Sequence, residues 1–161
     1  MGFFTSEYPF KIDRKGRLSV PAEFRTVLAQ QSSPGLVLMP AFGELALDGC
    51  GVDRLQALSE AIDDPEVYET DEEREEAELL FGLSKQLQFD SEGRILLPEE
   101  MRAHAGLSDA VVYVGHGPTF RIWNPEAFKA HKARIMERSA RAGRTPALRL
   151  TGRRRKRESE T

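Results

Sequence analysis

Two aspartate–arginine pairs, each four residues apart, hold the clearest chemical potential in this chain: Asp13 with Arg17, and Asp90 with Arg94. An arginine guanidinium is a rigid fork of donors that fits a phosphate, a carboxylate or the O6 and N7 edge of guanine. A carboxylate four residues earlier can brace that fork and fix its aim. The plainer role for such a pair is a surface clip on a turn, which contributes little. The first pair has further cations around it, with Arg14 and Lys15 inside the turn and Lys11 just before it. In the second pair Ser91 and Glu92 take the place of Arg14 and Lys15. Copy one therefore suits contact with a polyanion through Arg14, Lys15, Arg17 and Lys11. Copy two leaves two roles open for Arg94: holding Asp90 or an acid of a neighbouring subunit, or touching the same polyanion.

Both pairs occupy one repeated frame, apolar-x-apolar-Asp-x-x-Gly-Arg-apolar-x-apolar-Pro, at Phe10–Pro21 and Leu87–Pro98. The alternation of Phe10 with Ile12, and of Leu18 with Val20, predicts strands with one apolar face. Between them Asp13 and Asp90 can accept nearby backbone N–H groups, and Gly16 and Gly93 supply a positive φ, so each frame predicts a β-hairpin with a short loop. Pro21 and Pro98 suit helix starts. The helices that follow should bury Phe24, Val27 and Leu28 in copy one and Met101 and Ala105 in copy two, with Gly106 ending the second.

Each half continues with two more strands and a helix. In the first half these are Leu36–Met39, Leu45–Leu47 and a helix from about Asp53 with Leu55, Leu58 and Ile62 on its inner face; Asp48–Gly51 reads as a loose connection. In the second they are Val111–Val114, Phe120–Trp123 and a helix entered through Asn124 and Pro125, with Phe128 inward. A further acid-rich helix from Asp71 should turn Leu79, Leu80 and Leu83 inward. A lone hairpin and helix could hardly stay folded. Two copies in one chain can close face to face, which predicts an α+β fold of two β-β-α-β-β-α halves forming one small pseudo-twofold barrel with peripheral helices. The expected boundaries are 1–62 for the first half, 63–83 for the acidic connecting helix region, 84–138 for the second half and 139–161 for a basic flexible tail.

The 161 residues carry a formal net charge of −3, but the charge is segregated. The stretch from Asp53 to Glu78 is strongly acidic, whereas the first hairpin and the run Arg153–Arg157 are basic. Binding follows the local field rather than the sum. The run Arg153–Arg157 can equally add phosphate contacts or be a solvated terminus. A single cysteine, Cys50, excludes an internal disulfide framework and fits a reducing compartment. No apolar run reaches membrane-spanning length. His104, His116 and His131 have no metal-set spacing, and nothing in the sequence joins Cys50 to any of them, so neither an enzyme nor a metal centre is expected.

The doubled hairpin, with Gly16–Pro21, Leu79–Gly82, Arg102–Leu107 and Phe120–Trp123, resembles the MraZ family of the AbrB-like swapped-hairpin transcription factors. The resemblance covers roughly the first strand to Phe128. It implies a bacterial regulator that binds short direct repeats in double-stranded promoter DNA. It also implies action on the division and cell-wall gene cluster, including its own promoter. Homo-oligomeric rings, a cytoplasmic and nucleoid-associated location, no cofactor, no membrane and no small-molecule substrate are further implications. Antitoxin-like protein binding is the alternative from the same superfamily.

Overall fold

The computed structural model describes residues 2–143; the run Arg153–Arg157 lies outside them. The first half contains β1 (Glu7–Lys11), β2 (Arg17–Ser19), α1 (Ala22–Ala29), β3 (Leu36–Pro40), β4 (Ala46–Cys50) and α2 (Val52–Ile62). A 3-10 turn at Pro65–Val67 and α3 (Asp71–Leu83) follow. The second half contains β5 (Lys85–Leu87), β6 (Arg94–Leu96), α4 (Glu99–His104), β7 (Ala110–His116), β8 (Thr119–Trp123) and α5 (Pro125–Ala142). The fold is α+β, and every strand pairing among the described residues is antiparallel. Contacts divide the chain into two units, Met1–Pro125 and Glu126–Thr161. Within the second, α5 continues to Ala142, into the stretch expected as tail from residue 139, and carries an Arg141–Glu137 ion pair at 3.2 Å.

Six strands form one sheet in the order β1-β7-β8-β4-β3-β5, open at β1 and β5, while β2 and β6 form a separate ribbon. The expected hairpins are correspondingly reduced. Strands β1 and β2 meet only at the Ile12–Leu18 bridge and around the turn. The physical reason is competition for backbone donors and acceptors. Strand β1 is fully paired along β7 of the other half, and β5 reciprocally along β3. The two strands of each motif are thereby committed to different sheets.

The β2–β6 ribbon pairs the two copies of the motif with each other. Leu18 faces Ile95, its own counterpart one repeat later. Val20 N–H donates to Gly93 O at 3.2 Å, and Leu97 N–H donates to Gly16 O at 2.9 Å, again equivalent bonds. Leu18 and Ile95 are buried beneath the ribbon. They join a core that includes Phe24 and Leu28 from α1 and Met101 from α4, as their helical spacing predicts. Rings of Phe4, Phe24, Tyr113 and Phe120 meet one another at centroid distances of 5.0 to 6.0 Å. Burying such a ring stabilises by about 2 kcal/mol.

Three expectations need correction. Asp48–Gly51 is not a loose connection, because β4 runs through Cys50. The faces of α2 and α3 are not core, since neither helix holds a fully buried residue and Leu58 and Leu79 are exposed. The interior is already closed by α1, α4 and the aromatic rings, which leaves these helices only partial cover within one chain. Helix α3 is nevertheless well started: Thr70 Oγ1 accepts the Glu73 N–H at 3.2 Å, and Asp71, Glu72 and Glu73 sit where the helix dipole favours negative charge.

Candidate nucleic-acid interface

Residues 13–17 form a turn in which Gly16 N–H donates to Asp13 O at 3.0 Å and Asp13 N–H to Arg17 O at 2.9 Å. Gly16 has φ +82°, a left-handed conformation that a glycine adopts without Cβ strain. Arg14 and Lys15 therefore occupy the two central positions of the turn, and both are exposed. The Asp13 carboxylate organises the loop. Its Oδ1 accepts the N–H groups of Lys15 at 2.9 Å and Arg17 at 2.8 Å, and its Oδ2 accepts Arg17 Nε at 2.6 Å.

The second turn repeats this bond for bond. Asp90 Oδ1 accepts from Glu92 N–H and Arg94 N–H, both at 2.9 Å, and Oδ2 accepts Arg94 Nε at 2.8 Å. Backbone donation from Arg17 and Arg94 is the leading cause that holds Asp13 and Asp90 below the usual aspartate range. The side-chain bond to Asp90 raises the Arg94 pKa. Arg94 also reaches Glu92 at 3.6 Å and is less exposed than Arg17, 24% against 36% of the side chain. Among the described residues two carboxylates, Asp90 and Glu92, thus draw on Arg94, whereas Arg17 is paired with Asp13. The turns are built alike, but their charge differs.

Strands β2 and β6 carry both arginines onto one surface. With Leu18 and Ile95 pointing inward, alternation turns Arg17, Ser19, Arg94 and Leu96 outward. Lys11 is exposed at the end of β1, opposite Ala110. Of the residues singled out by sequence, Asp13, Arg14, Lys15, Gly16 and Arg17 form one turn, and Asp90, Gly93 and Arg94 the other.

A family model described as "MraZ protein, putative antitoxin-like" matches residues 80–150. Over 141 residues the chain is 44% identical to a protein of Xanthobacter autotrophicus named "Transcriptional regulator MraZ", covering 86% of this chain and 87% of the relative. Proteins of the same name from Azorhizobium caulinodans and Rickettsia canadensis are 41% and 37% identical, over 86% and 81% of this chain and 87% of each relative. The chain belongs to the MraZ family.

Two residues of this MraZ-family surface escaped the sequence reading. Arg25, on α1, lies against the second turn, where a Cβ added at Gly93 would sit 2.8 Å from its guanidinium. Its Nε donates to Val20 O at 3.2 Å. The repeat contains a signal for it, since Arg102 holds the same place in copy two, but Arg102 turns instead to the carbonyls of Leu107 and Ser108. Leu96 is the other, an exposed leucine between polar neighbours on the ribbon. Periodicity in a three-residue strand is too short to mark it.

Elsewhere, Cys50 and His116 both line a cleft of about 340 Å³ over β4 and α2. Burial is the main cause raising the Cys50 thiol pKa, the opposite of what a nucleophile needs. His104 Nε2 lies 2.8 Å from Ala41 O, in a structural hydrogen bond. Among the described residues no cluster of His, Cys, Asp or Glu is arranged to hold a metal. None of the described helices is long and apolar enough to cross a membrane.

Proposed function

We propose that this chain is a sequence-specific DNA-binding transcriptional regulator, with the β2–β6 ribbon and the first turn as its DNA-contacting surface. The observation that carries the reading is the exposed Arg14-Lys15 tip beside an Arg17 whose guanidinium is braced by Asp13. A two-stranded ribbon fits a major groove, where arginine pairs with guanine and lysine with phosphate. Lys11 extends the same charge. Arg94, held by two acids, contributes a weaker contact or a subunit contact. The names of the relatives, transcriptional regulators, support this reading over an enzyme.

The reciprocal pairing of β1 with β7 and β5 with β3 supports a swapped-hairpin arrangement of two halves, 1–62 and 84–138, around the acidic segment 63–83. One copy offers few cations and should bind weakly at physiological salt. A ring of copies on short direct repeats raises avidity through effective concentration. Exposed Leu58, Val67 and Leu79 on the acidic side supply apolar surface for such contacts between copies. The targets are promoters of the division and cell-wall gene cluster, its own included, in the cytoplasm at the nucleoid.

Nuclease footprinting upstream of its own gene, with assembly size measured in the same buffer, tests this. Regularly spaced protections by an oligomer are expected, and absence of protection there contradicts the proposal. The wording of the family description favours a second reading, antitoxin-like protein binding. Affinity capture returning one protein partner and no promoter DNA would select it.

A further inference from the structure

The outward face of the β2–β6 ribbon is asymmetric in one respect. Arg17 pairs with Leu96 and Ser19 with Arg94, and the repeated frame makes Leu96 the counterpart of Ser19. Leu96 is 63% exposed, although every other residue outward on that ribbon is polar. Its backbone is held in register with Arg17, and the next residue bonds to the first turn through Leu97 N–H to Gly16 O at 2.9 Å. A Leu96 methyl lies 3.7 Å from where a Cβ on Gly16 would sit. The leucine is thus a fixed apolar knob directly beside the cationic tip.

An apolar group on a surface of guanidiniums has one matching feature in a DNA groove. The C5-methyl of thymine is the apolar mark on the major-groove edge of a base pair, and it is read by apolar side chains next to arginines that read guanine. We infer that Leu96 is a specificity-determining residue that packs on a thymine methyl adjacent to the base pair met by Arg17. Ser19, its counterpart, offers a hydroxyl beside Arg94 instead. The duplicated chain therefore reads DNA unequally with its two copies. This inference rests on the DNA-binding reading above.

The test compares two versions of a promoter fragment from upstream of the chain's own gene, one with thymine and one with deoxyuridine throughout, which removes only the methyl groups. Affinities are measured by fluorescence anisotropy at fixed salt for the wild-type chain and for Leu96→Ser, which places the copy-one residue in copy two. Deoxyuridine should weaken wild-type binding about fourfold per contacted methyl. Leu96→Ser should bind both fragments with the affinity that the wild type has for the deoxyuridine fragment. An equal deoxyuridine penalty in both proteins overturns the inference and leaves DNA binding standing. So does a change of assembly size in Leu96→Ser with methyl discrimination intact, which would assign the leucine to a contact between copies. Wild-type protein that binds neither fragment overturns the DNA-binding reading and the inference with it.

Discussion

Asp48 and Arg121 face each other across β4 and β8, with Arg121 Nε 2.6 Å from Asp48 Oδ1. They are also the same position of the two halves. Pro9 and Gln86 are counterparts in the repeat and pair with Val112 and Val37. Those pair in turn with Trp123 and Cys50, and two residues back along β8 and β4 stand Arg121 and Asp48. A dimer of identical single copies would place two like residues on this axis. Duplication within one chain permits opposite charges there, and the sheet uses them at its centre.

Removing either partner leaves a partly buried charge uncompensated, so Asp48→Ala and Arg121→Ala should each lower stability by about 1 kcal/mol. A double-mutant cycle in chemical denaturation should show the two losses to be less than additive. The charge reversal Asp48→Arg with Arg121→Asp should recover most of the loss.

The acid limb of stability should trace to the two turns. Asp13 and Asp90 have folded pKa values below the unfolded aspartate value of about 3.9. A depressed folded pKa contributes stability that is complete above the unfolded value and is lost as pH falls through the folded one. Thermal unfolding followed from neutral pH down past the aspartate range should show Tm falling across that window. Asp13→Asn with Asp90→Asn should flatten the fall. An unchanged acid limb in the double variant would place the sensitive carboxylates elsewhere.

Gly49 marks a close approach of strand to ring. A Cβ built there would overlap the Phe120 side chain, which is fully buried. Gly49→Ala should therefore destabilise by about 3 kcal/mol, read from the denaturation midpoint. The exposed helical glycine Gly82 has open space around its Cβ, and Gly82→Ala should be neutral or mildly stabilising.

The same glycine explains what the sequence could not disclose. Asp48-Gly49-Cys50-Gly51 has the composition of a turn, yet β4 continues through it because Asp48 meets Arg121 and Gly49 admits Phe120, partners 73 and 71 positions away. Local pattern cannot register such distant partners. By contrast, the Asp-x-x-Gly turns are closed by bonds spanning at most four residues, and they were legible down to the contact between the side chains of Asp13 and Arg17. Helices α1 and α4 were legible through Phe24, Leu28, Met101 and Ala105, whose spacing matches the face they bury. The spacing in α2 was equally regular, but Leu58 stays exposed, since amphipathicity states that a face seeks cover and not whether its own chain provides it. The parting of β1 from β2 was hidden for a similar reason: alternation fixes which residues share a face, not which strand lies alongside.

The most direct test of the account is the affinity of Arg17→Ala for its own promoter fragment at physiological salt, with assembly size measured on the same sample and Arg94→Ala alongside. Loss of a braced arginine that meets a base should weaken binding about tenfold to a hundredfold. Assembly should be unchanged, and the loss in Arg94→Ala should be smaller. Undiminished promoter binding by a correctly assembled Arg17→Ala protein would contradict the account.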